Sequence, residues 1–177
     1  MTNTAGPRIG RDDASTASMA DRLRAVSPLA WSVAAVGGFL GSVPLGLMMQ
    51  FGNPEPLLEL ALPMMYGLGG PSLSAGWALH QFHGVVLALL YVAAVQSNVL
   101  APHARRLRGA LGLGVLVGVV TTGVLSVLLM PLWLALVGYP HTPPFPDLAM
   151  PEKQWSVLGH VGYALPVTFG YALVARR

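Results

Sequence analysis

The chain has 177 residues, of which 54% are hydrophobic and only 10% charged, against about 25% charged in an ordinary soluble domain. With a mean hydropathy of +0.60 there is too little charge to solvate a globular surface, and the apolar segments lack the polar faces that a soluble bundle needs. The absence of cysteine removes disulfides, thiolate metal sites, iron–sulfur clusters and thiol catalysis.

Residues 1–26, rich in Ser, Thr, Ala, Gly and charge, read as a flexible cytoplasmic tail with a short amphipathic turn over residues 19–26. They do not read as a cleaved signal peptide, because the first apolar run begins late, is of full span length and lacks a small-residue cleavage site. Residues 27–177 are expected to form one membrane domain. Segments 28–50, 75–97, 109–138 and 155–174 approach or exceed the roughly 18–20 apolar residues that cross a bilayer. The expected fold is all-α, an integral membrane four-helix bundle with structured outer connections.

The first span opens on Ser27-Pro28, an N-cap followed by proline at the first helical position. Pro44 inside it removes a backbone hydrogen bond, which a packed neighbour must tolerate. Small residues recur every fourth position at Gly38, Ser42 and Gly46, with Gly37 and Gly41 beside them. The third span repeats the device with Gly114, Gly118, Thr122 and Ser126. Such ladders let backbones approach closely, which matters in lipid because hydrophobicity does not drive helices together there.

Each half has a glycine-laddered span, a proline-rich connection and a span headed by Trp and His. The chain therefore reads as two pseudo-repeated helical hairpins, related by an axis along the membrane normal because each half crosses twice. The stretch from residue 56 to 65 is too apolar for a free loop and is expected either as a short helix at the outer interface or as a cap on the bundle. The second connection, with Pro140, Pro143, Pro144, Pro146 and Pro151, is expected to be extended and stiff.

Charge sets the orientation. Arg8, Arg11, Arg22 and Arg24 precede the first span, Arg105, Arg106 and Arg108 lie between the second and third, and Arg176 and Arg177 follow the fourth. The other two loops hold only Lys153 beside Glu55, Glu59, Asp147 and Glu152. By the positive-inside rule both termini face the cytoplasm of a cell membrane. The nominal pI of about 9.7 is thus accounted for without nucleic acid.

The second and fourth spans carry histidines near their outer ends. Trp77 and Trp155 are expected as interfacial anchors. His80 lies about 4–5 Å and His83 about 9 Å deeper than Trp77, and His160 about 7–8 Å below Trp155, at a rise of about 1.5 Å per residue. The three imidazoles thus fall at one level, with His83 and His160 as counterparts of the two halves. An ionisable group within a span turns towards protein or a wet cavity and is a functional candidate. Rings from two helices can ligate haem b, His80, His83 and His160 together can hold Cu or Zn, and a neutral imidazole can hydrogen-bond a quinone. A bland role remains open for each, as a donor to a facing carbonyl. Gly84, Gly159 and Gly162 leave room for a planar ligand or serve close packing. His103 is expected in the cytoplasmic loop, and His141 in the outer connection is placed to fold over the other three. Glu55, Glu59, Asp147 and Glu152 are expected as solvated interfacial carboxylates, with oxygen ligand or proton acceptor at the same mouth as the alternative, and Tyr91 and Tyr171 are expected in helix packing.

The segments "GWALHQFHGVVLALLYV" and "WSVLGHVGYALPVTFGYAL" resemble small multi-pass membrane proteins of halophilic archaea and some bacteria, a group with no assigned function. The resemblance rests on Gly159-His160-Val161-Gly162-Tyr163 opening an apolar helix. It implies a compact four-span bundle and carries no activity.

Three non-catalytic functions remain. One is a non-catalytic accessory subunit of a larger membrane complex, respiratory or redox-linked, touching lipid and partner subunits or a second copy of itself. Another is a haem-, quinone- or metal-binding protein using the histidines. The last is a small transporter, disfavoured because only Thr121, Thr122, Ser126 and Thr168 offer polarity at mid-span. An enzyme acting on lipid at the outer mouth is a further alternative, although no nucleophile with an activating base is visible.

Overall fold

The computed structural model of the chain describes residues 18–52 and 56–176; the expected tail lies outside these up to residue 17, as does Glu55. A short helix α1 (Met19–Arg24), capped by the Ser18 side chain, leads into the first span α2 (Pro28–Phe51), capped by Ser27. A π-helical turn (Leu57–Ala61) and α3 (Leu62–Met65) form the first connection, and α4 (Leu73–Ala94) is the second span. The short α5 (Ala101–Ala104) precedes the third span. That span runs through α6 (Leu107–Thr121), a π-helical segment (Thr122–Leu129) and α7 (Met130–Leu136). The fourth span is α8 (Glu152–Ala175). Four helices of 22 to 30 residues are long and apolar enough to cross a bilayer, so the chain is an all-α, multi-pass membrane four-helix bundle.

Packing follows the small residues. A Cβ at Gly38 would meet Gly84 O at 2.5 Å and Ala88 Cβ at 2.6 Å, and one at Gly46 would meet the Trp77 ring at 2.5 Å. That ladder seats the second span. About 100° round the helix, a Cβ at Gly41 would meet Tyr163 O at 2.4 Å, and one at Gly37 would meet Pro166 O at 3.1 Å. This second ladder seats the fourth span. The first span is therefore wedged between the second and fourth, with two small-residue faces rather than one. Gly114 lies against Leu165 and Thr168, Gly118 against Val161, Thr122 reaches Ser156 O at 3.4 Å and Ser126 receives the Lys153 ammonium at 3.1 Å. All four expected rungs of the third span thus face the fourth.

The two halves match locally. Each π-helical stretch ends two residues before a proline, Pro63 or Pro131, which has no N–H for the carbonyl four residues back. In both halves that carbonyl is taken up from a distance: Ser72 N donates to Glu59 O at 2.8 Å, and Asp147 N donates to Val127 O at 3.0 Å. Both short helices then stop on a glycine at φ +71°, Gly67 and Gly138. Leu68 N donates to Pro63 O at 3.0 Å and Tyr139 N to Leu134 O at 2.9 Å, the Schellman closure that a left-handed glycine permits. The assembly does not follow this likeness. A membrane-normal twofold would copy the broad contact of first and fourth spans onto the third and second, which share no comparable interface among the described residues.

The connections meet above the bundle. Ala61, Leu134 and Tyr139 form a second small core, with Leu60, Met64 and Met130 packed on it. The first connection is helical as its apolarity required, and it is seated on the second span. Leu58 O lies where a Cβ of Gly76 would project, at 1.6 Å.

Candidate functional site at the connection end

His80 is buried because α4 turns it towards the first span, where its Nε2 lies 2.9 Å from Ser42 O. A carbonyl only accepts, so Nε2 carries the proton and donates, and Nδ1 keeps the lone pair of the neutral ring. Gln81 pairs through its amide with Ser42 Oγ, which itself donates to Phe39 O at 2.8 Å. Trp77, expected as an interfacial anchor, covers Gly46, donates from Nε1 to Gln50 Oε1 at 2.9 Å and meets the His80 ring edge-on at 6.1 Å. Trp155 is exposed, in keeping with an interfacial anchor.

His160 donates from Nδ1 to Ser156 O at 2.8 Å, one turn back on its own helix. Its Nε2 therefore holds the lone pair. His160 lies within electrostatic range of both His80 and Lys153. His83 points elsewhere. Its Nε2 pairs with the Tyr66 hydroxyl of the first connection, whose ring also meets Trp133 at 5.6 Å. His83 and His160 thus have separate partners, and further along the same two spans the Tyr91 and Tyr171 rings meet edge-to-face at 5.9 Å.

The three histidines do not share one centre. Among the described residues no group of three or more His, Asp or Glu side chains is arranged to hold a metal ion. Nor do the glycines leave a slot for a planar macrocycle. The space beside Gly84 is filled by Ser42 and Gly38, and that beside Gly159 by Leu45 and Met48; only Gly162 faces open space. The residues present therefore do not fit haem in the expected gap. His141 lies against Tyr139 at 5.9 Å, and His103 donates from Nδ1 to Val99 O at 3.1 Å at the opposite end.

Two features had little advance signal. Tyr163, buried on the fourth span, donates to Gly84 O at 2.7 Å and bridges the two spans beneath the histidines. Beside them, Lys153 and Asp147 form a contact of 2.5 Å with side chains only 12% and 10% exposed. Lys153 stood out in the sequence as the one basic residue of the connections, but only the fold shows that it neutralises Asp147. Glu152 stays exposed.

The His80–Ser42 and Tyr163–Gly84 hydrogen bonds join different spans. An interhelical hydrogen bond in a bilayer contributes about 0.6 kcal/mol on average and up to about 1.7. His80→Leu, which loses its bond to another span, is expected to lower the thermal midpoint in detergent by a few degrees. His160→Leu, whose bond lies within one helix, should lower it less. Equal losses would contradict the bracing role of His80. Comparison of the chain with protein-family models, curated proteins and solved structures found no match.

Proposed function

We propose that this multi-pass protein is a small accessory subunit without chemistry of its own, docked to a larger membrane complex through its connection end. The observation that carries this reading is the polarity of the segment after Tyr139. It turns its carboxylate, Asp147, inward onto Lys153 and presents Phe145, Leu148 and Met150 outward, at 61%, 64% and 64% exposed. A loop bathed in water has the opposite arrangement, and an apolar surface rimmed by polar groups marks an interaction site. The histidine contacts fit the same reading, since each ring is tied to the polypeptide. The basic residues at the other end support a cytoplasmic placement of both termini. The test is purification of the tagged chain from its native membrane in mild detergent, beside Phe145→Ser/Leu148→Ser. A stoichiometric membrane partner should accompany the native chain and be lost from the folded variant. A partner retained by the variant, or a native chain that purifies alone, would refute the proposal.

A second reading rests on one geometric fact. His80 and His160 each give one N–H to a backbone carbonyl and keep the other nitrogen basic, the pattern that orients imidazole ligands. It would apply to a Cu or Zn ion or a quinone carbonyl. Metal analysis and an absorption spectrum of the purified chain, repeated for His80→Ala and His160→Ala, decide it: a signal lost in both supports the reading. No signal, or one that survives in both, rejects it.

A further inference from the structure

At the end opposite the connections, Arg105, Arg106, Arg108 and Arg176 are all exposed. Arg176 Nε donates to Arg105 O at 3.2 Å, which draws the end of the fourth span onto the loop before the third. Four exposed arginines therefore belong to the end where those two packed spans begin and finish. Among the described residues, the ion pairs are Arg24 with Asp21 and Lys153 with Asp147; none reaches this cluster. Glu59, Asp147 and Glu152 belong to the other end. Among the described residues no carboxylate is paired with these arginines.

The loop that displays these arginines is held in place. Ala104 is fully buried, and His103 O lies 2.1 Å from where a Cβ of Gly109 would be. That contact locks α5 against the first turn of the third span. Like charges brought together on a fixed loop repel one another unless an anion lies between them. Directly along the spans from the patch, Leu107, Leu111 and Leu173 are exposed and apolar. The ligand that matches both parts carries phosphate at one end and hydrocarbon at the other.

We infer that the surface where the third and fourth spans meet at this end binds an anionic phospholipid. Its phosphate lies among Arg105, Arg106, Arg108 and Arg176, and its chains lie along Leu111 and Leu173. Guanidinium forks match phosphate oxygens in bidentate geometry. Each basic side chain near a membrane surface adds about fivefold to the affinity for an anionic lipid. This proposal stands independently of the accessory-subunit reading, because it needs no partner protein.

The experiment is native mass spectrometry and thermal unfolding of the full chain in neutral detergent. Phosphatidylglycerol, phosphatidylcholine or inorganic phosphate is added at matched concentration. Phosphatidylglycerol is expected to bind at least fivefold more tightly than phosphatidylcholine and to raise the midpoint, whereas inorganic phosphate leaves it unchanged. Arg108→Gln/Arg176→Gln should lower the phosphatidylglycerol affinity by ten- to thirtyfold, and Arg24→Gln, at the same end but outside the cluster, by less than twofold. Raising the salt should weaken the preference in the unmodified chain, which keeps the test decisive if the double variant does not fold. Equal binding of the two lipids, a salt-independent preference, an equal loss in Arg24→Gln, or full stabilisation by inorganic phosphate would each overturn the assignment.

Discussion

Gly41→Ala is expected to destabilise the bundle severely, and Gly41→Leu to yield no folded protein in detergent. The added Cβ would lie 2.4 Å from Tyr163 O, a backbone atom that moves only if the fourth span moves. Overpacking a close contact costs about 1–3 kcal/mol, and a carbonyl fixed in another helix leaves little room for relaxation. The same residue also sets the height of Tyr163, whose hydroxyl is bonded to Gly84 O, so the first, second and fourth spans are disturbed together. Gly112→Ala makes the opposite prediction. Nothing lies within 4 Å of that added methyl, and glycine in a helix interior is less stable than alanine by about 0.5–1 kcal/mol. The measurement is the midpoint of loss of monodisperse protein on heating in one detergent. Gly41→Ala should fall well below the parent and Gly112→Ala should match or exceed it. Similar midpoints for both would show that the first span does not press on the fourth.

Lys153→Met is expected to have an effect of comparable size for an electrostatic reason. Asp147 would keep its position, with the Ala149 N–H at 3.2 Å as its remaining donor, and would lose its ammonium. Leaving one member of a largely buried pair unpartnered costs about 3–5 kcal/mol; the position at the edge of the bundle, where water enters, puts this case at the low end. Asp147→Asn should be milder, because a freed lysine can extend its stem towards water. In the double variant Lys153→Met/Asp147→Asn the buried charge is gone, and much of the lost stability should return. The local readout is proteolysis of the segment from 139 to 151, which Asp147 pins to Val127 O. Lys153→Met should be cut fastest and the double variant more slowly. A Lys153→Met chain as resistant as the parent would show that the pair does not hold this connection down.

These two positions also show where the sequence was legible. The glycine ladders announced close helix contact, because a side chain reduced to hydrogen every fourth residue has few other uses in an apolar helix. They did not say which neighbour each ladder meets. Gly37 and Gly41 serve the fourth span while Gly38, Ser42 and Gly46 serve the second, and adjacent registers on one helix carry no label for their partners. The histidines were harder still. Depth along a helix follows from counting residues, but the direction of a ring depends on rotation about the helix axis. His80 and His83, three residues apart, look like one site in the sequence, yet one braces Ser42 and the other reaches Tyr66. For the same reason His83 and His160, expected as counterparts if the halves are related, meet different partners.

Composition, span lengths and the alternation of basic and acidic loops follow from transfer free energies that each residue carries wherever it lies, so a four-span membrane protein could be read from the chain alone. So could the proline positions that interrupt the helices. The order of contact among spans, the inward turn of Asp147 onto Lys153, and the division of the histidines among separate partners depend on atoms distant in sequence. Such contacts exist only after the helices have packed, and several packings satisfy the same hydropathy. Tertiary structure alone chose among them, through the few places where backbone meets backbone closely enough to exclude every other arrangement.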